Sequence, residues 1–308
     1  MKLHLGVLLH VGYNFWSDRE ATGWDLTHVS ATSKLRMDKK LWDQILERLV
    51  EAGMNMLVID LGEGVKYKSH PNSRSKAPGQ PKSSGRSSRQ SARWVSNLSQ
   101  SSISQPHTTH VWVSIPCCVS AKPYYKICRD LIKDAVDIFD GPRFFHLGMD
   151  GETAEHQRHY AYAVMRQHDL WWHDLEFLVK QVEKQKARPW GWLDYVWHHP
   201  DDFYSRMPES VLQSNWYYGK SFANSVTGAN AYKRLEGHGY DQIPTGSNWS
   251  CPENFQRTVT HARKHISTKR LLGFLQTVWR PTIEESGEGH IEAIELAARA
   301  RKNWERGL

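Results

Sequence analysis

The strongest constraint on the fold is a recurrence: short apolar runs ending in carboxylates, amides or indoles alternate with segments whose apolar residues recur at helical spacing. The first run, Leu3 to Tyr13, leads into NFWSDRE, which puts Asn14, Trp16 and Asp18 at its carboxyl end. An amphipathic segment follows, with Leu41, Trp42, Ile45, Leu46, Leu49 and Val50 on one face and Gly53 as its terminator. Next comes NMLVIDLGEG, ending in Asp60 and Glu63. A strand, a helix and a second strand of this kind form the repeating unit of a parallel sheet covered by its crossover helices.

The pattern continues after residue 121. Tyr124, Ile127, Cys128, Leu131, Ile132, Ala135 and Ile138 share one helical face, and Phe144 to Met149 is the next strand, ending at Asp150 and Glu152. Helical segments from Tyr160 to Met165 and from Trp171 to Val182 lead to a fifth strand, ARPWGWLDYVW. VLQSNWYYG (Val211 to Gly219) is the sixth, YDQIPTGSNW (Tyr240 to Trp249) the seventh, and LLGFLQTVW (Leu271 to Trp279) the eighth. Helices from Pro252 to His265 and from His290 to Asn303 follow the last two. Seven strands are visible, and the economical fold is α/β, a (β/α)8 TIM barrel formed by a single domain over residues 1–308.

The third βα unit is the irregular one. Between about Pro71 and Ala121 there are fourteen serines, scattered Arg and Lys, no acid, and no period of 2 or 3.6. A basic Ser-rich linker of that length is out of place inside a compact domain. The segment reads as a frame-shifted translation: re-reading codons from their third base lets Gln80 to Trp94 encode a helix and Trp94 to His110 a strand and a polar loop. The third unit is therefore expected to be disrupted, leaving two unpaired parallel edges prone to aggregation.

The net charge of +7 points to nucleic acid only until it is located. Eleven of the 40 basic side chains and none of the 33 acids lie between residues 64 and 129, so the rest of the chain is mildly acidic. No nucleic-acid partner is therefore expected, since the basic segment also has few aromatics for stacking. No run reaches the roughly 20 apolar residues of a membrane span. His4, Gly6 and His10 interrupt the N-terminal apolar run, which reads as a strand and not a signal peptide. As written the chain reads as cytoplasmic, and as exported if its true N-terminus is longer. Cys117, Cys118, Cys128 and Cys251 have no metal spacing and are expected as free thiols.

Polar and aromatic residues gather where the strands end: Asn14, Asp60, Glu63, Asp150, Glu152, Asp194, Trp197, Trp216, Tyr217, Trp249, Trp279 and Arg280. Indole faces among carboxylates suit a sugar, whose C–H faces stack while its hydroxyls hydrogen-bond. Several acids with few fixed cations suit phosphates poorly. Glycoside cleavage needs one acid to protonate the leaving oxygen and a second group to stabilise or attack the anomeric carbon. Asp150 and Glu152, two apart on one strand face, are the candidate pair. His10 and His146 are inward-facing candidates for substrate contact. His198 and His199 precede Pro200 at a strand-to-helix junction without metal spacing. No glycine-rich phosphate loop or Gly-x-Ser-x-Gly elbow occurs, and no metal or organic cofactor is implied.

The stretch HLGMDGE resembles the fourth-strand element of family 20 glycoside hydrolases, the β-N-acetylhexosaminidase type, with His146, Gly148 and Asp150 in matching positions. WGWLDY, VLQSNW and LLGFLQTVW look similar to the family's fifth, sixth and eighth strands, so the resemblance spans about residues 1–66 and 123–308. It implies that Asp150 orients the substrate and that the general-acid Glu belongs at position 151, where this chain has Gly. Either Glu152 takes over the acid role, or the acid is lost, at a cost of about 10² to 10⁴ in rate. The family's first-strand arginine has no clear counterpart, so the expected substrate is a glycoside of unspecified type. The expectation is a glycoside hydrolase-like barrel. The alternative is a catalytically impaired carbohydrate-binding barrel, a pseudoenzyme. Oligomeric state is open.

Overall fold

The computed structural model describes residues 3–12, 35–62, 64–71, 93–97, 120–150 and 166–307. Eight parallel strands carry the architecture: β1 (His4–His10), β2 (Met56–Asp60), β3 (Arg93–Asn97), β4 (Phe144–His146), β5 (Arg188–Gly191), β6 (Leu212–Gln213), β7 (Thr245–Ser247) and β8 (Gly273–Thr277). Between them run α1 (Lys39–Glu51), α2 (Lys122–Ile138), α3 (Asp169–Lys184), the short α4 (Tyr195–His198) and α5 (Pro200–Arg206), α6 (Thr227–Gly237), α7 (Asn254–His265) and α8 (Gly287–Glu305). The ladder order is β6-β5-β4-β3-β2-β1-β8-β7. Its two ends meet through isolated parallel bridges, Gln213 with Gln242 and Trp216 with Thr245. Backbone bonds from Ile243 N to Gln213 O (2.9 Å) and from Thr245 N to Asn215 O (3.0 Å) span the same seam. The fold is a (β/α)8 barrel.

The third strand is present. β3 pairs with β2 from Met56↔Arg93 to Asp60↔Asn97, and with β4 from Val95↔Phe144 to Asn97↔His146. A Ser-rich sequence without alternation thus supplies a strand between two apolar neighbours. The remainder of the basic segment, 72–92 and 98–119, lies outside the described residues, as does the helical expectation over Tyr160 to Met165.

Local chemistry sets the helix boundaries. The Asp38 carboxylate caps α1 by accepting from Leu41 N at 2.7 Å. Proline stands in the first turn of α2 and of α5, where its missing N–H costs nothing. Arg263, Lys264 and His265 in the last turn of α7 complement the helix dipole. On α1, Leu41, Ile45 and Leu49 are buried as the spacing requires, whereas Val50 is exposed at the edge of that face, as is Ile138 on α2.

Two shells of apolar packing follow from the period of two along each strand. Inward residues Leu8, Met56, Val58, Phe144, Trp190, Trp192, Leu212, Ile243 and Leu275 fill the barrel. Outward residues such as Val7, Leu9, Leu57, Ile59 and Phe145 pack under the helices. At Gly6 a Cβ would fall 2.8 Å from the Met56 carbonyl, so the Met56 side chain fills the space a larger residue would need. Between α2 and α3 lies a fully buried ion pair, Arg166 Nη1 to Asp174 Oδ2 at 3.0 Å. Tyr124 OH accepts from Arg166, and Ser120 and Tyr125 donate to Asp174. This network fixes α3 behind β4, whose carboxyl end carries Asp150. Cys128 and Cys251 are free and buried; burial pushes the Cys128 thiol up to about 12.

Candidate active site at the carboxyl end of the barrel

The same alternation that fills the barrel puts His10, Asp60, His146, Trp192, Asp194, Trp216, Tyr218 and Trp279 in its last inward layer. Their mutual contacts show the result. His10 Nδ1 lies 3.0 Å from Asp60 Oδ2, which joins the ends of β1 and β2. Thr282, beyond β8, donates to the His10 carbonyl at 2.8 Å. The His10 ring lies 5.6 Å from Trp279, and Trp279 lies 5.8 Å from Trp192 and 6.4 Å from Tyr218. Tyr218 in turn lies 5.1 Å from Trp216. Rings from the ends of β5, β6 and β8 therefore form a continuous aromatic wall.

His146 forms the floor. It is fully buried, with its ring 4.3 Å from Trp192 and 4.9 Å from Trp190. Its Nδ1 accepts from Gly148 N at 3.1 Å, which leaves the ring proton of the neutral form on Nε2. Nε2 has no partner among the described residues. Burial drives its pKa down to about 3, so the floor of the cup is uncharged at neutral pH.

The acids sit above this floor. Gly148 (φ 76°) and Met149 (φ 81°) both take left-handed backbone, a turn that glycine accepts readily and methionine does not. Together they end β4 and present Asp150, which is half-buried. Trp279 has φ 53°, so a second strained residue stands at the end of β8. Asp194 follows β5 and is buried; it occupies the N-cap of α4 without making a side-chain cap bond. Burial pushes its carboxyl well above the usual carboxylate range, and the Asp150 charge pushes it further. The Trp216 indole tempers that rise, although neither its N–H nor Asp194 Oδ1 reaches a partner in hydrogen-bond geometry among the described residues. Burial also raises the Tyr218 phenol, and Asp150 and Asp194 add to it.

The sequence candidates thus separate into groups. His10, Asp60, His146, Asp150, Asp194, Trp216 and Trp279 converge on the cup. Tyr217 is corrected: it points outward, 5.3 Å from Phe222, because alternation through Asn215-Trp216-Tyr217-Tyr218 turns it away. Tyr218 stands in the cup instead, and Trp192 joins it from β5; period two counted from the buried Leu212 and Trp190 identifies both. Trp197 lies behind Trp216, at 4.7 Å, with its indole N–H donating to Asn215 Oδ1 at 2.8 Å. Trp249 is 47% exposed, at the rim beyond β7 and not in the wall. Arg280 is half-buried next to Trp279. Asn14, Glu63 and Glu152 lie outside the described residues, as do Trp16 and Asp18. No group of three His, Cys, Asp or Glu is placed to hold a metal ion among the described residues, and no described helix is long and apolar enough to cross a membrane. An open cavity of about 530 Å³ lies away from the mouth, lined by Lys220, Phe222, Arg257, His261 and Lys264 among others.

No protein-family model and no curated protein sequence matches the chain. Among solved structures it is similar to a B12-independent methionine synthase from Shewanella sp. W3-18-1, at 10% identity, 99% coverage of both chains and TM-score 0.50. That likeness concerns the fold alone. The chain is also similar to a rutinosidase from Aspergillus niger (10% identity, 89% of both chains, TM-score 0.44). A third match is Saccharomyces cerevisiae Gas2p in complex with laminaripentaose (11% identity, 94% of this chain and 65% of that chain, TM-score 0.46). These last two similarities are too low to carry an argument.

Proposed function

We propose that this barrel acts on carbohydrate, binding a glycoside in the cup at its carboxyl end and cleaving an O-glycosidic bond by carboxylate chemistry. One observation carries the reading: Asp150 and the buried Asp194 interact electrostatically within a wall formed by Trp192, Trp216, Tyr218 and Trp279. Indole and phenol faces supply dispersion contact to the C–H faces of a pyranose, and the acids and the His10–Asp60 pair supply hydroxyl partners. In this reading Asp150 is the carboxylate that faces the positive charge developing at the anomeric carbon, a role supported by its half-buried place after β4 beside Asp194. The resemblance of HLGMDGE adds one finer expectation, that a 2-acetamido sugar is among the ligands.

Isothermal titration of methyl glycosides and short oligosaccharides, including 2-acetamido-2-deoxy sugars, tests the binding half of this proposal. Saturable binding that falls at least tenfold in Trp216→Ala and Trp279→Ala is expected. Binding that is unchanged in both variants, or absent for every sugar, overturns it. Sugar binding without turnover of any glycoside favours the carbohydrate-binding barrel, for which Gly151 in the expected acid position speaks.

A further inference from the structure

The geometry points to Asp194, at the end of β5, as the proton donor of this site, in place of the acid that position 151 lacks. This inference rests on the glycosidase reading above and names the residue that performs its first step. Asp194 is 6% exposed, sits inside the aromatic cup, and lacks the structural duties that usually retain a buried acid. Among the described residues it forms no ion pair, makes no side-chain cap bond to α4, and leaves its Oδ1 without a partner. A second buried polar atom, His146 Nε2, is likewise without a partner there. Buried polar atoms left open in this way indicate a surface shaped for hydrogen-bonding groups that arrive with a ligand.

The groups set against the Asp194 carboxyl are Asp150 from the end of β4, and the Trp216 indole and Tyr218 phenol from the end of β6. Among the described residues none of these is a cation, so Asp150 disfavours a charge on Asp194, and burial disfavours it more. A buried acid set against a second, half-buried carboxylate in one pocket is the arrangement from which a proton donor and a charged partner can be assigned. In the reaction, the Asp194 proton passes to the leaving oxygen as the bond from that oxygen to the anomeric carbon breaks, and the bonding pair stays on the oxygen. A water molecule adds its oxygen to the carbon, and the proton it gives up restores the neutral acid. Asp150 faces the positive charge that builds during this exchange.

Leaving-group dependence separates a proton donor from a merely structural residue. Asp194→Asn is expected to lower kcat about 10² to 10⁴-fold on alkyl glycosides, whose leaving oxygen needs the proton. On dinitrophenyl glycosides, whose leaving group does not, the loss should stay below tenfold. Asp137→Asn, on the exposed face of α2, should leave the rate on both substrates close to wild type. Equal losses on both substrates in Asp194→Asn, or no loss on either, overturn the assignment.

A readout without turnover runs beside it. In protein carrying 13C-carboxyl aspartate, the resonance that disappears in Asp194→Asn is expected to titrate above the usual carboxylate range and to titrate at lower pH in Asp150→Asn. Ordinary titration of that resonance overturns the assignment whether or not the protein turns over. Failure of the wild type to cleave any glycoside, with the resonance behaving as expected, overturns the hydrolase reading instead.

Discussion

Replacing His146 by asparagine isolates the energetic consequence of building the floor of the cup from a buried neutral histidine. In the unfolded chain His146 takes up a proton near pH 6.5; in the folded protein burial delays this to about pH 3. Between those values the unfolded state binds more protons, so stability rises with pH and is lost as the solution is acidified. The slope for one group is about 1.4 kcal/mol per pH unit, so from pH 6.5 to pH 4 this ring alone removes roughly 3 kcal/mol. His290 is also buried, with its pKa driven down to about 4, and contributes its own acid loss; it is present in both proteins and cancels in the comparison.

In His146→Asn the new amide oxygen can still accept from Gly148 N. The variant should therefore fold, at a pH-independent cost of roughly 1–3 kcal/mol for lost contact with Trp190 and Trp192. Urea unfolding of both proteins from pH 7 to pH 4 measures the difference. The wild-type advantage should shrink with acidification by about 1.4 kcal/mol per unit and reverse near the lower limit. Parallel stability curves would refute the assignment of His146 as a ring held neutral by its surroundings.

Three further outcomes are expected. Asp174→Ala strands the Arg166 charge in a fully buried position and should destabilise the fold by about 3–5 kcal/mol, measured by denaturant unfolding, whereas breaking an exposed pair such as Lys133–Asp137 should leave the unfolding midpoint close to wild type. Leu8→Ala, in the middle of the barrel interior, should cost about 2–5 kcal/mol on the same assay. If the basic segment is a shifted frame, the gene should carry compensating insertions and deletions near the codons for Pro71 and Ala121, and the frame-restored chain should melt higher than this one; an uninterrupted frame removes the idea.

The sequence is most legible in its apolar runs. HLGVLLH and MLVID read directly as strands of a parallel sheet buried on both faces, with His10 and Asp60 marking their carboxyl ends, although which residues face inward follows only from the fold. NWYYG is harder, because three adjacent aromatics carry no alternation, and Tyr217 reads as well as Tyr218 until the fold separates them. Trp249 reads as part of the wall because it ends a strand, yet β7 stops at Ser247 and the chain has turned outward by then. α6, TGANAYKRLEG, is hard to see because glycine and small residues at its core-facing positions give it a weak apolar stripe. β3 is hidden in a serine-rich stretch whose pairing with β2 and β4 comes from tertiary context and not from its own propensity. Asp194 is visible as an acid at a strand end, but only its burial and its interaction with Asp150 distinguish it from a hydroxyl ligand.

We propose that the chemistry of this chain resides in the carboxylates of the barrel mouth. The measurement that tests it most directly is hydrolysis of a panel of aryl glycosides by wild-type protein and by Asp150→Asn, side by side. Turnover of at least one glycoside, lost by a factor of about 10² or more in the variant while its fold and melting behaviour persist, is the expected result. Turnover that survives the loss of Asp150 unchanged would place the chemistry elsewhere and contradict the claim.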